Sequence, residues 1–577
     1  MNNHESPAEE ASRIALEEVF ACIQAGRSFR LEAGAGAGKT YSLVEALKYL
    51  IKRHERDFMR RGQQIACITF TNVAKDEIET RTDKHPIVYC NTNHSFCWLL
   101  TGGFQKQLKA LVQQMPAWQD KLLEAGGIGD RGVEYSLGHR AVREHVLSLH
   151  HDDVIPLTIS LMENPKFRKI MADRFPIILI DEYQDTDKDW VDALRLRFFG
   201  QPNSPLFGFF GDHWQKIYGN GCGELNDDAV TPIGKKANFR SVNAIVECLN
   251  RMRPALPQFV KDPEAPGRVR IFHTNGWVGQ RQGGQHWGGD LPSEVAHQAL
   301  EATKAQMVAD GWDLAPKQTK ILMLTHRVLA SEQGYSNLAD AFRYNDSYLK
   351  KEDRLIAFLI DVLEPAADAY SAKRYGAMFE AMGGTVPLLK RQADKAAWAA
   401  SFDRLLELRE GGLIGDVVDH LMAEQRPRLP DRVEDLQNAL AAFYPVAGIE
   451  KPRSLAELEK LRVVSYSEVK ALRKYLEGYS PFETKHGVKG AEFENVLVVL
   501  GRGWNQYNFG EMLELAGDAN VPANKQAAFE RNRNLFYVAC SRPKRRLTLL
   551  FTQELSAAAL AKLQQWFGAG SIEALAL

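Results

Sequence analysis

Residues 28–41 read SFRLEAGAGAGKTY. The run SFRLE (28–32) has the length of a strand and YSLVEALKYL (41–50) has helical spacing, so the small residues between them sit in a strand–turn–helix unit. Across Ala33, Gly34, Ala35, Gly36, Ala37 and Gly38 the lack of bulky side chains lets backbone N–H groups turn inward around a phosphate. Lys39 then offers a point charge to the β and γ phosphates, Thr40 a hydroxyl to Mg²⁺, and Tyr41 closes the nucleotide-facing stretch. The plain alternative is a Gly/Ala turn with a surface lysine; the flanking strand and helix argue against it.

Further strand-length apolar runs recur at 64–70, 177–180, 205–210, 319–325, 495–500 and 546–551, several separated by helical periodicity. Buried parallel strands read this way, so the class is α/β. Two stretches have a different texture, 98–175 and 346–465, the second rich in Ala, Leu, Glu, Lys and Arg at helical spacing; both read as mainly helical insertions into α/β cores. A Gly- and Gln-rich stretch, NGWVGQRQGGQHWGG (275–289), reads as a long surface loop, mobile unless a partner holds it.

The chain has 577 residues, enough for about four domains. Hydrophobic residues make up 45% and charged residues 25%, which excludes a disordered or collagen-like chain. The polar, acidic start and the absence of long apolar runs point to a soluble cytoplasmic protein without a membrane partner. Seven scattered cysteines with no CxxC argue against a disulfide framework and against a zinc or iron–sulfur site. Lys plus Arg (72) balances Asp plus Glu (73), so any nucleic-acid affinity must reside in local fields.

In IILIDEYQDTD (177–187) a buried strand delivers Asp181 and Glu182 to its carboxyl end, the edge at which open α/β sheets bind ligands. Asp181 can hold the Mg²⁺ shell, and Glu182 can polarise a water for in-line attack on a γ phosphate. Adjacent acids in a solvated loop are the ordinary alternative, which the upstream phosphate loop disfavours.

At this point the chain resembles the UvrD/Rep-type superfamily 1 DNA helicases. The resemblance is carried by GAGAGKT (34–40), ITFTNVAKDEIETR (68–81), NHSFCW (93–98), LIDEYQDT (179–186), FGDHWQKIYG (210–219), ANFRS (237–241), TKHGVKGAEFENVLVV (484–499) and RNRNLFYVACSRPK (531–544), in the family's order. It implies two RecA-like parallel-sheet cores with two mainly helical insertions: core 1A over 1–97 and 176–235, insertion 1B over 98–175, core 2A over 236–345 and 466–577, and insertion 2B over 346–465.

The resemblance also implies ATP and Mg²⁺ between the cores, Gln215 sensing the γ phosphate, and Arg240 and Arg542 reaching it. An always-charged planar guanidinium suits that task, with effects of roughly 10³ to 10⁵ in rate. Glu492 matches the sugar-contacting position, and Phe239 stands where the family has a Tyr stacking on adenine, keeping the stacking face. Tyr537 reads equally as a cleft residue or a core aromatic. Phe70, Asn72, His94, Tyr218 and His486 occupy positions resembling the DNA contacts, where stacking rings grip single strands without regard to sequence. The basic run 52–61 is left as a solvated helix face.

The implied activity is an ATP-driven translocase and helicase on single-stranded or partly duplex DNA, of 3′ to 5′ polarity; DNA rather than RNA follows from the resemblance alone. A second reading is a DNA-sensing regulatory ATPase that activates a partner nuclease subunit in anti-phage defence. Three departures from the family bear on it. The only Gln before the phosphate loop is Gln24, so the adenine-reading Gln motif is missing. Asn220 follows the IYG turn and Trp214 precedes Gln215, so an aromatic stacking platform has either moved or been lost. The 2B-like insertion is small, and the roughly 35 residues after Arg542 are too few for an appended nuclease, so strand cutting would come from a partner.

Overall fold

The computed structural model describes residues 5–577 except 137–139, 218, 285–287, 324–325, 384–390, 445–449, 478–481, 485–491, 502–506 and 519. The protein is α/β, with two RecA-like parallel-sheet cores and helical insertions. The first sheet has six strands in the order Val88–Thr92, Ile65–Thr69, Ile177–Asp181, Leu206–Gly211, Phe29–Ala33 and Thr231–Lys235, all paired in parallel. FRLEA, IACIT and IILID are buried at every residue; burial on both faces explains the apolar runs of IACIT and IILI, whereas FRLEA buries two charges, Arg30 and Glu32. Gly208 is required by packing, because a Cβ there would lie 2.7 Å from both Leu179 and Phe29.

The strand order brings three site-bearing segments side by side. Phe29–Ala33 leads into the phosphate loop, its neighbour Leu206–Gly211 leads to Asp212 and Gln215, and the next strand ends at Asp181. All leave the sheet at its carboxyl edge.

The stretch 98–175 contains the helices Gln105–Gln114, Pro116–Glu124, His151–Leu161 and Pro165–Arg174. It also folds a small sheet of Gly132–Tyr135, Val146–Leu149 and Ala141–Val142, which helical spacing had not signalled. Two- to four-residue strands carry too little periodicity to be read locally. Its buried anchor is Asp153, fully inaccessible, which accepts from Trp118 Nε1 at 3.1 Å and pairs with Arg140 at 2.7 Å.

The chain divides by compactness into two units: Met1–Arg270 with Phe509–Leu547 and Ser556–Ile572, and Ile271–Asn508 with Thr548–Leu555 and Glu573–Leu577. This division does not follow the expected core 2A, because ANFRS and the helix Ala523–Cys540 belong to the unit that holds the phosphate loop. The second six-stranded sheet runs Phe482–Thr484, Thr319–Met323, Phe493–Leu500, Pro543–Phe551, Arg268–His273, Ile572–Ala574.

In the second unit, helices between His326 and Leu476 pack around Leu338, Ile356, Leu359, Val417 and Leu472. A buried bidentate pair, Arg409 with Glu364 at 2.7 Å for both bonds, crosslinks two of them. The Gly- and Gln-rich stretch is tied down in its described part, since Arg281 donates to the carbonyls of Thr274, Gly289 and Thr552. All seven cysteines are free, six of them buried. Among the described residues no helix is long and apolar enough to cross a membrane.

Candidate nucleotide site and nucleic-acid cavity

The phosphate loop is held open by side chains from far along the chain. Gly36 and Gly38 take left-handed φ values of 74° and 72°, a region glycine enters without steric cost. Asn238 Nδ2 and Gln258 Nε2 both donate to the Ala35 carbonyl, at 3.0 and 3.1 Å, and Phe239 N–H donates to the Gly36 carbonyl at 2.8 Å. Binding carbonyls from behind frees loop N–H groups to meet an anion, although Ala37 N–H donates within the loop to the Gly34 carbonyl at 3.1 Å. The fit is close: a Cβ on Gly34 would sit 2.7 Å from Gln258, and one on Gly36 2.7 Å from Asn238.

Lys39 begins the helix Lys39–Arg61, with its Nζ 3.5 Å from Glu182 Oε1. Glu182 has φ 48°, a left-handed conformation that costs a non-glycine residue of order 1–3 kcal/mol. Gln184 Nε2 donates to its other oxygen at 2.6 Å. Asp181, buried at the strand end, and Thr40 supply oxygen donors of the kind Mg²⁺ takes.

Gln215 is buried between two charged groups: its Nε2 donates to Asp212 at 2.7 Å and its Oε1 accepts from Arg542 at 3.3 Å. Arg542 is itself buried; burial first, and then the positive charge of Arg240, press its pKa down to about 9. Arg240 donates to the Ser541 carbonyl at 3.1 Å, so both arginines lie at one turn. Phe239 and Tyr41 are 40% and 46% exposed, which leaves ring face available to a base.

Behind Gln215 lies a network that sequence reading had missed. Arg253 donates to Asp212 at 2.6 Å and to Glu32 at 2.9 Å. Glu32 also accepts from His213 and from Tyr183 at 2.6 Å each. Burial raises the Glu32 pKa, but His213, Arg253 and Tyr183 together outweigh it and hold the group well below the usual carboxylate range. Glu32, Asp212 and His213 have the spacing of a metal site, yet the Arg253 guanidinium already supplies the positive charge between the two carboxylates. The network's available signal in the sequence was a charge, Glu32, within a strand-length run.

Trp214 belongs to this region. Arg533 stands 4.1 Å and Arg253 5.4 Å from its ring centroid, and Tyr537 meets it edge-on at 5.4 Å. Tyr537 is buried beside Trp214. Gln24 donates to the Tyr49 hydroxyl at 2.6 Å.

A separate cavity of about 1060 Å³ is lined by Phe70, Asn72, His94, Tyr135, His151 and Asn220, among others. His94 and His151 stack with centroids 3.3 Å apart and planes 17° from parallel, and Tyr135 bonds His151 Nδ1 at 2.8 Å. Burial, aided by the neighbouring His151, pushes the His94 pKa down to about 4. None of the described lining residues is Lys or Arg, while Asp152, Asp185, Asp187 and Asp189 are present. Three expected contacts, Phe70, Asn72 and His94, therefore meet in one cavity, and His151 joins them unforeseen. Tyr218 and His486 lie outside the described residues. Glu492 is exposed immediately before the strand Phe493–Leu500, in the second unit.

A glycine loop, strand-end acids and a Gln–Arg pair on a parallel sheet are the parts of a P-loop nucleotide hydrolase. Residues 17–220 match the AAA domain family, and residues 317–554 match the UvrD-like helicase C-terminal domain. The chain is 22% identical to Gabija protein GajB of Bacillus cereus (strain HuB5-5), over 94% of this chain and 95% of that protein. It is 25% identical to ATP-dependent DNA helicase Rep of Escherichia coli (strain K12) over 38% of this chain and 40% of Rep. With ATP-dependent DNA helicase PcrA of Staphylococcus aureus (strain Mu50 / ATCC 700699) the identity is 24%, over 38% of this chain and 37% of PcrA. The chain is a UvrD-like superfamily 1 helicase-type protein.

Proposed function

We propose that the protein hydrolyses Mg-ATP and couples the reaction to movement along single-stranded DNA, unwinding duplex with 3′ to 5′ polarity in the cytoplasm. The observation that carries this reading is a pair of short shared segments. Residues 181–187 begin with Asp181 and Glu182 and end in the cavity lining with Asp185, Thr186 and Asp187; residues 212–220 begin at Asp212 and Gln215 and end in the same lining with Asn220. The two segments are joined to each other, because Asp212 N–H donates to Gln184 Oε1 at 3.0 Å, and Lys188 N–H, just past the first segment, donates to the Asn220 carbonyl at 3.0 Å. A change at the γ phosphate and a change in the grip on DNA then move the same few residues of backbone.

In this reading the loop N–H groups and Lys39 hold the phosphates, Glu182 orients the attacking water, and Gln215, Arg240 and Arg542 stabilise the charge spreading over the phosphoryl oxygens. Thr40 and Asp181 would hold Mg²⁺, which would neutralise phosphate charge. Phe239 and Tyr41 flank the base, and Glu492 takes the sugar. Phe70, Asn72 and His94 hold the strand, with Tyr218 and His486 extending the track. The segments of cores 1A and 2A and insertions 1B and 2B given above remain our assignment of the chain.

A second reading is a DNA-sensing regulatory ATPase that activates a nuclease subunit in anti-phage defence. The end-to-end likeness to a Gabija protein, against local likeness to Rep and PcrA, favours it. Steady-state ATP hydrolysis with and without single-stranded DNA, run beside Lys39→Ala and Glu182→Gln, tests the site; strand displacement by the isolated protein separates the two readings. Full DNA-stimulated hydrolysis in either variant would refute the assignment. Processive unwinding without a partner would leave the sensor-only reading untenable.

A further inference from the structure

Lys235 ends the strand Thr231–Lys235 and is registered against Ala33, the residue that opens the phosphate loop. The period of two puts its side chain on the face of Ile233, which packs into the apolar core around the phosphate-loop helix. An apolar residue is the ordinary occupant of such a position, yet here it is a lysine with 0% exposure. Its Nζ donates to the Gly38 carbonyl at 3.2 Å and to the Ser42 hydroxyl at 2.7 Å, and stands 5.6 and 5.9 Å from the ring centroids of Tyr41 and Phe239. Both hydrogen-bond acceptors are neutral.

The charged groups on the surrounding elements are engaged elsewhere. On the neighbouring strand Glu32 is bound by Tyr183, His213 and Arg253, and Arg30 donates to Asn226 and to the Leu225 carbonyl. On the phosphate-loop helix Lys39 faces Glu182 and Glu45 pairs with Lys48. On the helix Pro7–Gln24, which packs against the same strand, Glu9, Glu10, Glu17 and Glu18 are exposed. Burial alone pushes the Lys235 pKa down to about 8. The positive end of the phosphate-loop helix beside it gives no relief. A buried ammonium without a carboxylate is costly, and it suits a place where a ligand brings the missing negative charge.

We propose that Lys235 is a second, buried cation of the nucleotide site, completed electrostatically by the bound phosphates instead of by a protein carboxylate, so that nucleotide binding takes up a proton at alkaline pH. The inference rests on the nucleotide reading above. Lys235 touches the loop through Gly38 and is a positioning residue: its charge acts on the phosphates through the loop it braces. The unliganded protein carries the charge below about pH 8 and loses it above; binding restores it, so affinity falls as pH rises through that value.

Calorimetry of the full chain with Mg-ADP at pH 8.5, in two buffers of different ionisation enthalpy, tests this. The expected result is an uptake of between about half and one proton by the wild type, most of it lost in Lys235→Gln and Lys235→Met, with about tenfold weaker binding at pH 7.5. Without nucleotide both variants should melt at higher temperature than the wild type at pH 7, because a buried charge is gone, and should gain less from Mg-ADP. A purely structural brace predicts a lower melting temperature with proton uptake intact, and that result overturns the proposal; Lys235→Gln keeps a hydrogen-bond donor and decides the matter if Lys235→Met misfolds. Wild-type binding with unchanged uptake in the variants defeats this proposal alone, whereas a folded wild type that binds no Mg-ADP defeats the nucleotide reading with it.

Discussion

Around Lys39 and Gln215 nearly every polar side chain is held by another charge, whereas in the cavity beside Phe70 and His94 rings and amides face an open volume with no lysine or arginine among the described lining residues. The first region is built to meet negative charge that changes during a reaction, so its donors are fixed in advance and buried. The second has no lysine or arginine among its described lining residues and carries four aspartates, so in the proposed function a strand there would present its bases inward and its phosphates to solvent. In the proposed function these are two demands of one motor, met with different materials.

The largest effect expected is at the phosphate loop. Lys39→Ala should lower DNA-stimulated ATP hydrolysis by about 10³-fold or more, and Arg542→Lys by about 10²- to 10³-fold, since an ammonium cannot reproduce a planar fork buried against Gln215; steady-state rates at saturating DNA would check both. Retained rates would mean that the buried charges serve folding alone.

Next in size is the network behind Gln215. Arg253→Met strands Asp212 and Glu32 without their buried partner and should destabilise the protein by about 3–5 kcal/mol, read by chemical denaturation. Smaller is the cavity: Phe70→Ala should weaken single-strand binding by about 1–3 kcal/mol, with little change in its dependence on salt. A large change in salt slope would show that phosphates occupy the cavity after all and would erase the contrast.

The smallest effect concerns His94, whose pKa is pushed down to about 4 against an unfolded value near 6.5. The unfolded chain therefore binds more protons between those values. Stability is fully present above about pH 6.5 and declines as pH falls toward 4. His94→Phe should keep the stack on His151 and flatten that decline, measured by denaturation at pH 7 and pH 5.

Both regions were legible in the sequence to different depths. The phosphate loop and the strand-end acids are contiguous, and each residue's task follows from its neighbours in the chain. Arg240, Arg542 and Gln215 came from resemblance, and the structure brings them together. His151 gave no signal, because it comes from a segment whose short strands and irregular turns hide its position. Trp214 left two readings open, and only packing under Arg533 and Arg253 shows where its ring is used.

What the sequence by itself determined is the class, the order of the motifs and the loop chemistry, because backbone N–H groups, a lysine and strand-end carboxylates act where the chain places them. What only the tertiary structure decided is the surrounding electrostatics. Glu32 meets Arg253, Lys235 meets Gly38 and Ser42, and Gln258 meets Ala35 across roughly two hundred residues of chain. Whether a buried charge is paired or left for a ligand depends on distances that folding sets, and a lysine in an apolar strand position acquires its meaning only when the groups beside it are known.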